Sequence, residues 1–295
     1  MGHTQYEAVL QSNGEVKPVK PKIHGERIFA YLFLVALVLV MTVPLLTVIF
    51  TAFKTDLEMW ISSSWQPPKI WQVQNFINAW TTGRFELYFF NTVFVTVVVT
   101  VLGIFFGFLM TYAMVIIKVP FSPLWLGLFL LGLTIPEESL LIPLYTTMHN
   151  IGLQDTYWGI ILPQVAMSIG FAVIYLRPCL IGLPSELLDA AQIDGCGHVS
   201  LLRHIAFPMA KPVMSALVVI FFLGTWNEFL IPLILATSDN IKTLPCGLFA
   251  FHNAHQSNLT LEAAGTVIIT IPALIIYLIF QRSFIRGVTA GAVKG

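Results

Sequence analysis

The sequence predicts an all-α membrane protein with six transmembrane helices. Of its 295 residues, 57% are hydrophobic and only 10% are charged, and the mean hydropathy is +0.82. A soluble domain carries roughly 25% charged residues, so this chain cannot cover a water-facing surface with charge. The apolar residues are also gathered into six long runs with almost no charge. A run of about 20 such residues crosses a bilayer as a helix.

The six predicted spans are not marked equally clearly by the sequence. They are Ile28–Phe53, Leu87–Ile117, Val119–Pro136, Tyr157–Leu176, Pro212–Ser238 and Ala263–Gln281. The third is crowded with prolines, and its end is expected to fall at Pro136 or to extend past Glu137 and Glu138. In the second span, Asn91, Gly103 and Gly107 are candidates to face other helices, because small residues let two helices approach closely.

The distribution of lysine and arginine predicts the orientation of these spans. Eleven of the 15 lysines and arginines fall in the two tails and in the connections after the second and fourth spans. Because cytoplasmic loops collect positive charge, these segments and both termini are expected in the cytoplasm. The loops 54–86 and 239–262 are then external, and the tryptophans of the first suit a membrane interface.

The spans divide the chain into three parts. A cytoplasmic tail (1–27) precedes a transmembrane domain (28–286), and a second cytoplasmic tail (287–295) follows it. The loop at about 177–211, between the fourth and fifth spans, is the one long cytoplasmic connection rich in acids, glycines and histidines. Its function is the main question that the sequence raises.

Several chemical functions of this loop are disfavoured by its spacing. Gly195 and Gly197 do not form a dinucleotide-binding turn, because Ser200 occupies the third glycine position and no strand precedes them. His198 and His204 lie six residues apart, which is not one helical face, so they are interpreted as solvated and not as zinc ligands. The chain also lacks the G-x-x-x-x-G-K-[ST] phosphate loop. We therefore predict no catalytic residue, no metal ligand and no cofactor of its own.

The loop is predicted to form two short helices with a sharp joint. Ser185 is placed to cap a helix whose first turn carries Glu186, and Asp194-Gly195 offers a left-handed turn at its end. A second helix is expected from about His198 to just before Pro208. Small side chains on the first helix would let another protein approach closely. From these residues alone, a docking surface and a plain loop on the membrane surface are equally good interpretations.

A resemblance to a known family favours docking. The loop resembles the EAA motif of ATP-binding-cassette importer permeases, which is E-A-A, three residues, Gly, nine residues and I-x-L-P. The matching residues are Asp189-Ala190-Ala191, then Gly195, then Ile205-Ala206-Phe207-Pro208, with Asp189 in place of Glu and Phe207 in place of Leu. The ending RSFIRGVTAGAVKG and the stretch WNEFLIPL are similar to those of MalG-like permeases of carbohydrate importers. The resemblance covers roughly residues 28–295.

The resemblance implies a transport subunit of a bacterial or archaeal inner membrane that imports a sugar or oligosaccharide by alternating access. The implied partners are a second, related permease, two ATPase subunits that hold ATP and magnesium, and an extracytoplasmic solute-binding protein, which the loop 239–262 would touch. Coupling to the ATPase is carried over to Glu186, Asp189, Ala190, Ala191, Asp194, Gly195, Ile205 and Pro208. A second ATPase contact is carried over to Gly291, Ala292, Val293, Lys294 and Gly295.

Asn227 and Glu228 are the candidate pathway residues. They fall inside the predicted fifth span, where an acid in hydrocarbon is unfavourable and is expected to face a cavity, the bundle interior or the interface. Glu228 is therefore interpreted as a gate or pathway residue, as a partner in a helix–helix hydrogen bond, or as a residue at the membrane interface. Three other functions remain as alternatives: an importer permease for a polyol or glycerophosphodiester, a proton-coupled secondary transporter, and an integral membrane enzyme.

Overall fold

A computed structural model describes residues 25–253 and 256–292 of the chain, and it describes the side chains of these residues except 25–27, 192, 252–257 and 283–292. The chain divides into two compact units, residues 1–47 and 48–295. The described part of the first unit is helical throughout. The second unit carries the loop and the pathway residues singled out by the sequence.

Helices dominate the described residues. In chain order they are α1 (Gly25–Phe53), α2 (Asp56–Ile61), α3 (Gln74–Thr82), α4 (Phe85–Tyr112), α5 (Ser122–Thr134), α6 (Glu137–Asn150), α7 (Tyr157–Ile181), α8 (Ser185–Ile193), α9 (His198–Leu201), α10 (Phe207–Trp226), α11 (Leu230–Leu235), α12 (Leu244–Gly247) and α13 (Leu259–Ala292). The π-helical segments Ala113–Ile117 and Leu202–Ala206 extend α4 and join α9 to α10, and a 3-10 turn, Leu248–Phe251, follows α12. Two short antiparallel strands, β1 (His252–Asn253) and β2 (Gln256–Ser257), complete the chain order. Among the described residues, five helices are long and apolar enough to cross a membrane, or six spans if the bent pair α5–α6 is one span. The predicted all-α membrane fold is confirmed.

The third predicted span, Val119–Pro136, corresponds to α5 (Ser122–Thr134), which ends just before Pro136, the first of the two ends expected from the sequence. A second helix, α6, follows and meets α5 at an angle of 102°. Proline restricts the preceding residue to extended backbone, and Ile135 before Pro136 indeed has φ −78° and ψ 123°. The helix axis therefore changes direction at this proline, and Glu137 and Glu138 form the first turn of α6.

The fifth predicted span, Pro212–Ser238, was placed too far along the chain. The continuous helical stretch of this span runs from His198 to Trp226, and a separate helix, α11, begins at Leu230. A helix through this region would bring the Pro232 ring against the carbonyl of Glu228, four residues earlier. In the first turn of α11, Pro232 removes no helical hydrogen bond, since the N–H groups of a first turn have no partner within the helix.

Helices α4 and α7 pack closely through glycine, as the sequence predicts for Gly103 and Gly107. A Cβ added to Gly103 would lie 2.6 Å from the Cβ of Ser168, and one added to Gly107 would overlap the Cβ of Ala172. Asn91, the third residue predicted to face other helices, donates to the carbonyls of Asn240 (2.8 Å) and Lys242 (2.9 Å). The α4 helix thereby contacts both α7 and the segment after α11.

Polar contacts organise the segments predicted to be external. Lys54 is fully buried, and its ammonium donates to the Ser62 hydroxyl (2.9 Å) and the Ser63 carbonyl (2.7 Å). The Asp239 carboxylate accepts from Lys242 (2.8 Å) and Arg84 (2.7 Å), and these hydrogen bonds hold the pKa of Asp239 below its usual range. Asp239 is therefore ionised at neutral pH and ties the loop after α11 to the start of α4.

Candidate functional site

The loop that resembles the EAA motif folds as the sequence predicts around Gly195. Helix α8 ends at Ile193, and Gly195 has φ +76°, the left-handed conformation that favours glycine. The Cys196 N–H donates to the carbonyl of Ala191 at 2.9 Å, five residues earlier. This is the hydrogen bond by which a glycine-ended helix satisfies its last carbonyls. The joint between α8 and α9 is thus defined by backbone geometry.

Most of the predicted coupling residues on α8 and in the joint after it lie on the surface of the chain. Glu186, Asp189, Ala190, Asp194 and Gly195 are exposed. Ala191 is the exception: it is 6% exposed, so its methyl group packs inward and not on the face expected to dock. Ala191 also supplies the carbonyl that accepts from the Cys196 N–H, so this residue is part of the joint.

Large apolar side chains accompany these polar residues at the surface of the loop. Leu187 is 41% exposed, Ile193 86% and Val199 79%. Complete burial of a side chain of this size is worth about 1.5–3 kcal/mol. Covering these three side chains on contact with another surface would therefore be favourable.

The sequence predicted that the second helix of the loop ends before Pro208, and this prediction is wrong. The helix continues from α9 through the π-helical segment into α10, so Ile205 and Pro208 are part of the helix that enters the membrane. The extra residue in the π turn lets the Phe207 N–H donate to Leu202, five residues earlier, which accommodates the nearby proline. Ile205 is half-buried and Pro208 is exposed.

A buried tyrosine that was not predicted from the sequence holds the loop to the transmembrane helices. The Tyr112 hydroxyl, at the end of α4, donates to the carbonyl of His198 at 2.9 Å. Tyr112 is 3% exposed and belongs to a core cluster with Leu180, Leu183 and Ala206. A tyrosine near the charged end of an apolar run was the available signal, because a buried tyrosine hydroxyl needs a partner.

The loop histidines are exposed, as expected for solvated side chains. The His204 ring nitrogen lies 3.1 Å from the Ser200 carbonyl and 3.3 Å from the Ser200 hydroxyl. Within the part of the chain that the structure describes, no group of three or more His, Cys, Asp or Glu side chains is placed to hold a metal ion.

The C-terminal residues predicted to contact the ATPase lie largely outside the described part of the chain. Val293, Lys294 and Gly295 are not described, while Gly291 and Ala292 form the last helical residues of α13. Their proposed contact stays a prediction.

The two candidate pathway residues lie in the break between α10 and α11 and not within a continuous span. Asn227 is exposed, and its side-chain amide donates to the carbonyl of Leu223 at 2.8 Å. The Glu228 carboxylate accepts from the N–H of Ile231 at 3.0 Å and so caps the first turn of α11. This hydrogen bond is local to the break and is not a bond between two helices, so the role of Glu228 stays a prediction.

A pocket opens beside this break. Its volume is about 580 Å³, and it is lined by Phe229, Pro245, Leu248, Phe249 and Glu262. The Phe229 and Phe249 rings are stacked, with centroids 5.3 Å apart and an interplanar angle of 13°. No pattern in the sequence distinguishes these two phenylalanines among the 23 in the chain, since they are 20 residues apart and meet only through the fold.

Comparison with known proteins places the chain among importer permeases. Residues 100–289 match the family described as binding-protein-dependent transport system inner membrane component. An arabinooligosaccharides transport system permease protein, AraQ of Halalkalibacterium halodurans, is 34% identical over 85% of this chain and 91% of its own length. A diacetylchitobiose uptake system permease protein, NgcG of Streptomyces coelicolor, is 32% identical over 86% of this chain and 85% of its own length.

The fold agrees with that of a solved importer. A bacterial ABC transporter involved in the import of the acidic polysaccharide alginate contains a chain that matches with a TM-score of 0.74 and 20% identity, over 90% of this chain and 99% of that one. Permeases of the matched family are transport components, not enzymes, that work with an ATPase and a solute-binding protein. Since the family match spans more than half of the sequence, this chain belongs to the binding-protein-dependent transport system inner membrane components and is a multi-pass permease subunit.

Proposed function

We propose that the chain imports a sugar or oligosaccharide by alternating access, with the α8–α9 loop transmitting ATP hydrolysis from a partner subunit to the transmembrane helices. The sugar is supported by the two relatives, whose names specify arabinooligosaccharides and diacetylchitobiose. The coupling role rests on one observation: an exposed loop with a left-handed joint at Gly195 is tied by Tyr112 to the core of the transmembrane helices.

The mechanical argument follows from these contacts. A force on the exposed surface of α8 reaches α9 through the joint that the Cys196–Ala191 hydrogen bond closes, and then α10 through an unbroken helical stretch. The Tyr112–His198 hydrogen bond passes the same displacement to α4. The loop therefore moves together with two transmembrane helices, which is what alternating access requires of a coupling element.

The assembly that we propose has four further subunits or components. A second, related permease forms a heterodimer with this chain, two ATPase subunits bind ATP and magnesium, and a solute-binding protein delivers the sugar from outside. In this arrangement Glu186, Asp189, Ala190, Asp194 and Gly195 contact the ATPase, while Ala191 supports the joint from inside. The C-terminal tail makes the second ATPase contact.

The energy source distinguishes this proposal from proton-coupled transport. In liposomes, this chain and its partner permease alone should neither hydrolyse ATP nor concentrate sugar, and adding the ATPase and the binding protein should produce both activities. The measurement is radiolabelled sugar uptake together with phosphate release. Uphill uptake driven by a proton gradient without the ATPase would contradict the proposal. Uptake of a polyol or glycerophosphodiester in place of sugars would retain the mechanism and replace the substrate class.

The orientation is tested with one cysteine on each predicted side. Gln66 is exposed in the loop expected outside, and Val199 is 79% exposed in the loop expected in the cytoplasm. Cys179 and Cys196 are replaced by alanine, and Cys246 is retained because it is only 5% exposed. An impermeant maleimide should label Gln66→Cys in spheroplasts and Val199→Cys only after lysis. The reverse pattern would invert the orientation and remove the loop from the ATPase side.

A further inference from the structure

The pocket beside the α10–α11 break has a built aromatic surface. Phe229 precedes α11, and Phe249 lies in the 3-10 turn after α12. Their rings are nearly parallel, and Phe249 remains 52% exposed. An exposed ring that is already fixed by a second ring presents a flat, electron-rich face without further ordering. Such a face attracts groups whose hydrogens carry a partial positive charge.

A carboxylate lies at the edge of this aromatic surface. Among the described residues that line the pocket, Glu262 is the charged one, and it stands in the first turn of α13. A carboxylate is a hydrogen-bond acceptor only, with two oxygens that can take several hydroxyl donors. An anionic ligand would be repelled by this group, whereas a ligand with hydroxyl groups can donate hydrogen bonds to it. The pocket therefore suits a neutral ligand with one apolar face and several hydroxyl groups.

The wall of the pocket is held in place before any ligand binds. The N–H of Leu244 donates to the Thr92 hydroxyl at 2.7 Å, and Pro245 is buried. A Cβ added to Gly265 on α13 would lie 2.9 Å from Leu248, so the turn and α13 are as close as glycine permits. A wall fixed in this way loses little conformational entropy on binding, which favours affinity.

From these observations we propose that Phe229, Phe249 and Glu262 form a sugar-binding subsite in this chain. One pyranose or furanose ring packs its C–H face on Phe249, and its hydroxyl groups donate to Glu262. The inference rests on the proposed sugar transport and adds the location at which this subunit holds the sugar. A volume of about 580 Å³ is within the range of small-molecule sites and accommodates one or two sugar rings.

The test is sugar binding to the complex of both permeases and the ATPase subunits in liposomes. The solute-binding protein is left out, so that it does not bind the sugar itself. Arabinotriose and diacetylchitobiose are the probes, and equilibrium dialysis measures their affinity. Phe249→Ala should weaken binding of the transported sugar by about tenfold, and Glu262→Gln by about fivefold. Phe249→Trp keeps an aromatic face and should bind at least as tightly as the unmodified chain. Phe90→Ala is the matched control, because Phe90 is 72% exposed and lies outside the pocket.

Two results separate the failure of this inference from the failure of the proposed function. If the importer takes up one of these sugars with its binding protein, yet Phe249→Ala and Glu262→Gln bind it as the unmodified chain does, the subsite is wrong and sugar transport stands. If the importer takes up neither these nor other neutral oligosaccharides, the proposed substrate class is wrong and the subsite is rejected with it. A loss of binding in Phe90→Ala equal to that in Phe249→Ala would also overturn the subsite.

Discussion

Replacing Gly195 with valine is expected to uncouple the permease from its ATPase while leaving the chain folded and inserted. A β-branched residue at φ +76° is a genuine conformational outlier, with strain of about 1–2 kcal/mol or more. No atom outside the adjoining residues lies within 4 Å of a Cβ built there, so the effect comes from the backbone and not from a clash. The joint would open, and α8 would be aimed away from its partner.

The measurement is ATPase pull-down and sugar uptake from the same membranes, and both should fall at least about fivefold. Gly197→Val is the matched control: Gly197 has φ −73° and ψ 169°, an extended conformation that valine adopts readily, and it also has open space around its Cβ. Gly195→Asn should retain most of the activity, because asparagine tolerates the left-handed region. Normal pull-down and uptake in Gly195→Val would mean that this joint does not aim a coupling helix.

Gly107→Val is expected to destabilise the folded transmembrane domain itself. The new Cβ would overlap the Cβ of Ala172 on α7, and two apposed helix backbones cannot be separated locally. Overpacking of this kind destabilises a protein by about 1–3 kcal/mol or more. We expect a lower yield of purified complex and a thermal midpoint several degrees lower than that of the unmodified chain.

The control and the rescue isolate the α4–α7 contact. Gly127→Val on α5 makes the same chemical change where nothing lies within 4 Å of an added Cβ, so it should leave stability nearly unchanged. The milder Gly107→Ala should also destabilise, and Ala172→Gly in the same chain should restore part of the loss, because one methyl group then fills the space of the other. An unaltered midpoint in Gly107→Val would contradict this prediction, and so would destabilisation that Ala172→Gly does not relieve. Either result would show that the contact between Gly107 and Ala172 does not set how closely α4 and α7 pack.

Local sequence was sufficient for several parts of the structure. Charge-free runs located the straight spans α4 and α7, because the requirement of the bilayer for apolar residues acts on each segment separately. The left-handed joint was predictable at Gly195, since glycine after a short helix has a specific backbone role. Gly103 and Gly107 indicated close helix packing in the same way.

Two predictions were wrong although the decisive residues were visible in the sequence. The hydropathy of a long run says nothing about its backbone, and the run through Pro232 therefore suggested a helix without a break. One helix instead ends at Trp226 and another begins at Leu230, with Pro232 in its first turn. At Pro208 the error was the reverse: the sequence predicted the end of a helix, but the helix continues through a π turn and includes the proline.

The sequence by itself determined the membrane fold, the loop motif and the joint at Gly195, because each depends on residues adjacent in the chain. Only the tertiary structure decided that Ala191 faces inward, that Tyr112 anchors the loop through His198, and that Phe229, Phe249 and Glu262 share one pocket. Tyr112 and His198 are 86 residues apart, so no periodicity relates them. Contacts of this kind arise from the packing of whole helices, where many local choices combine to fix which distant side chains meet.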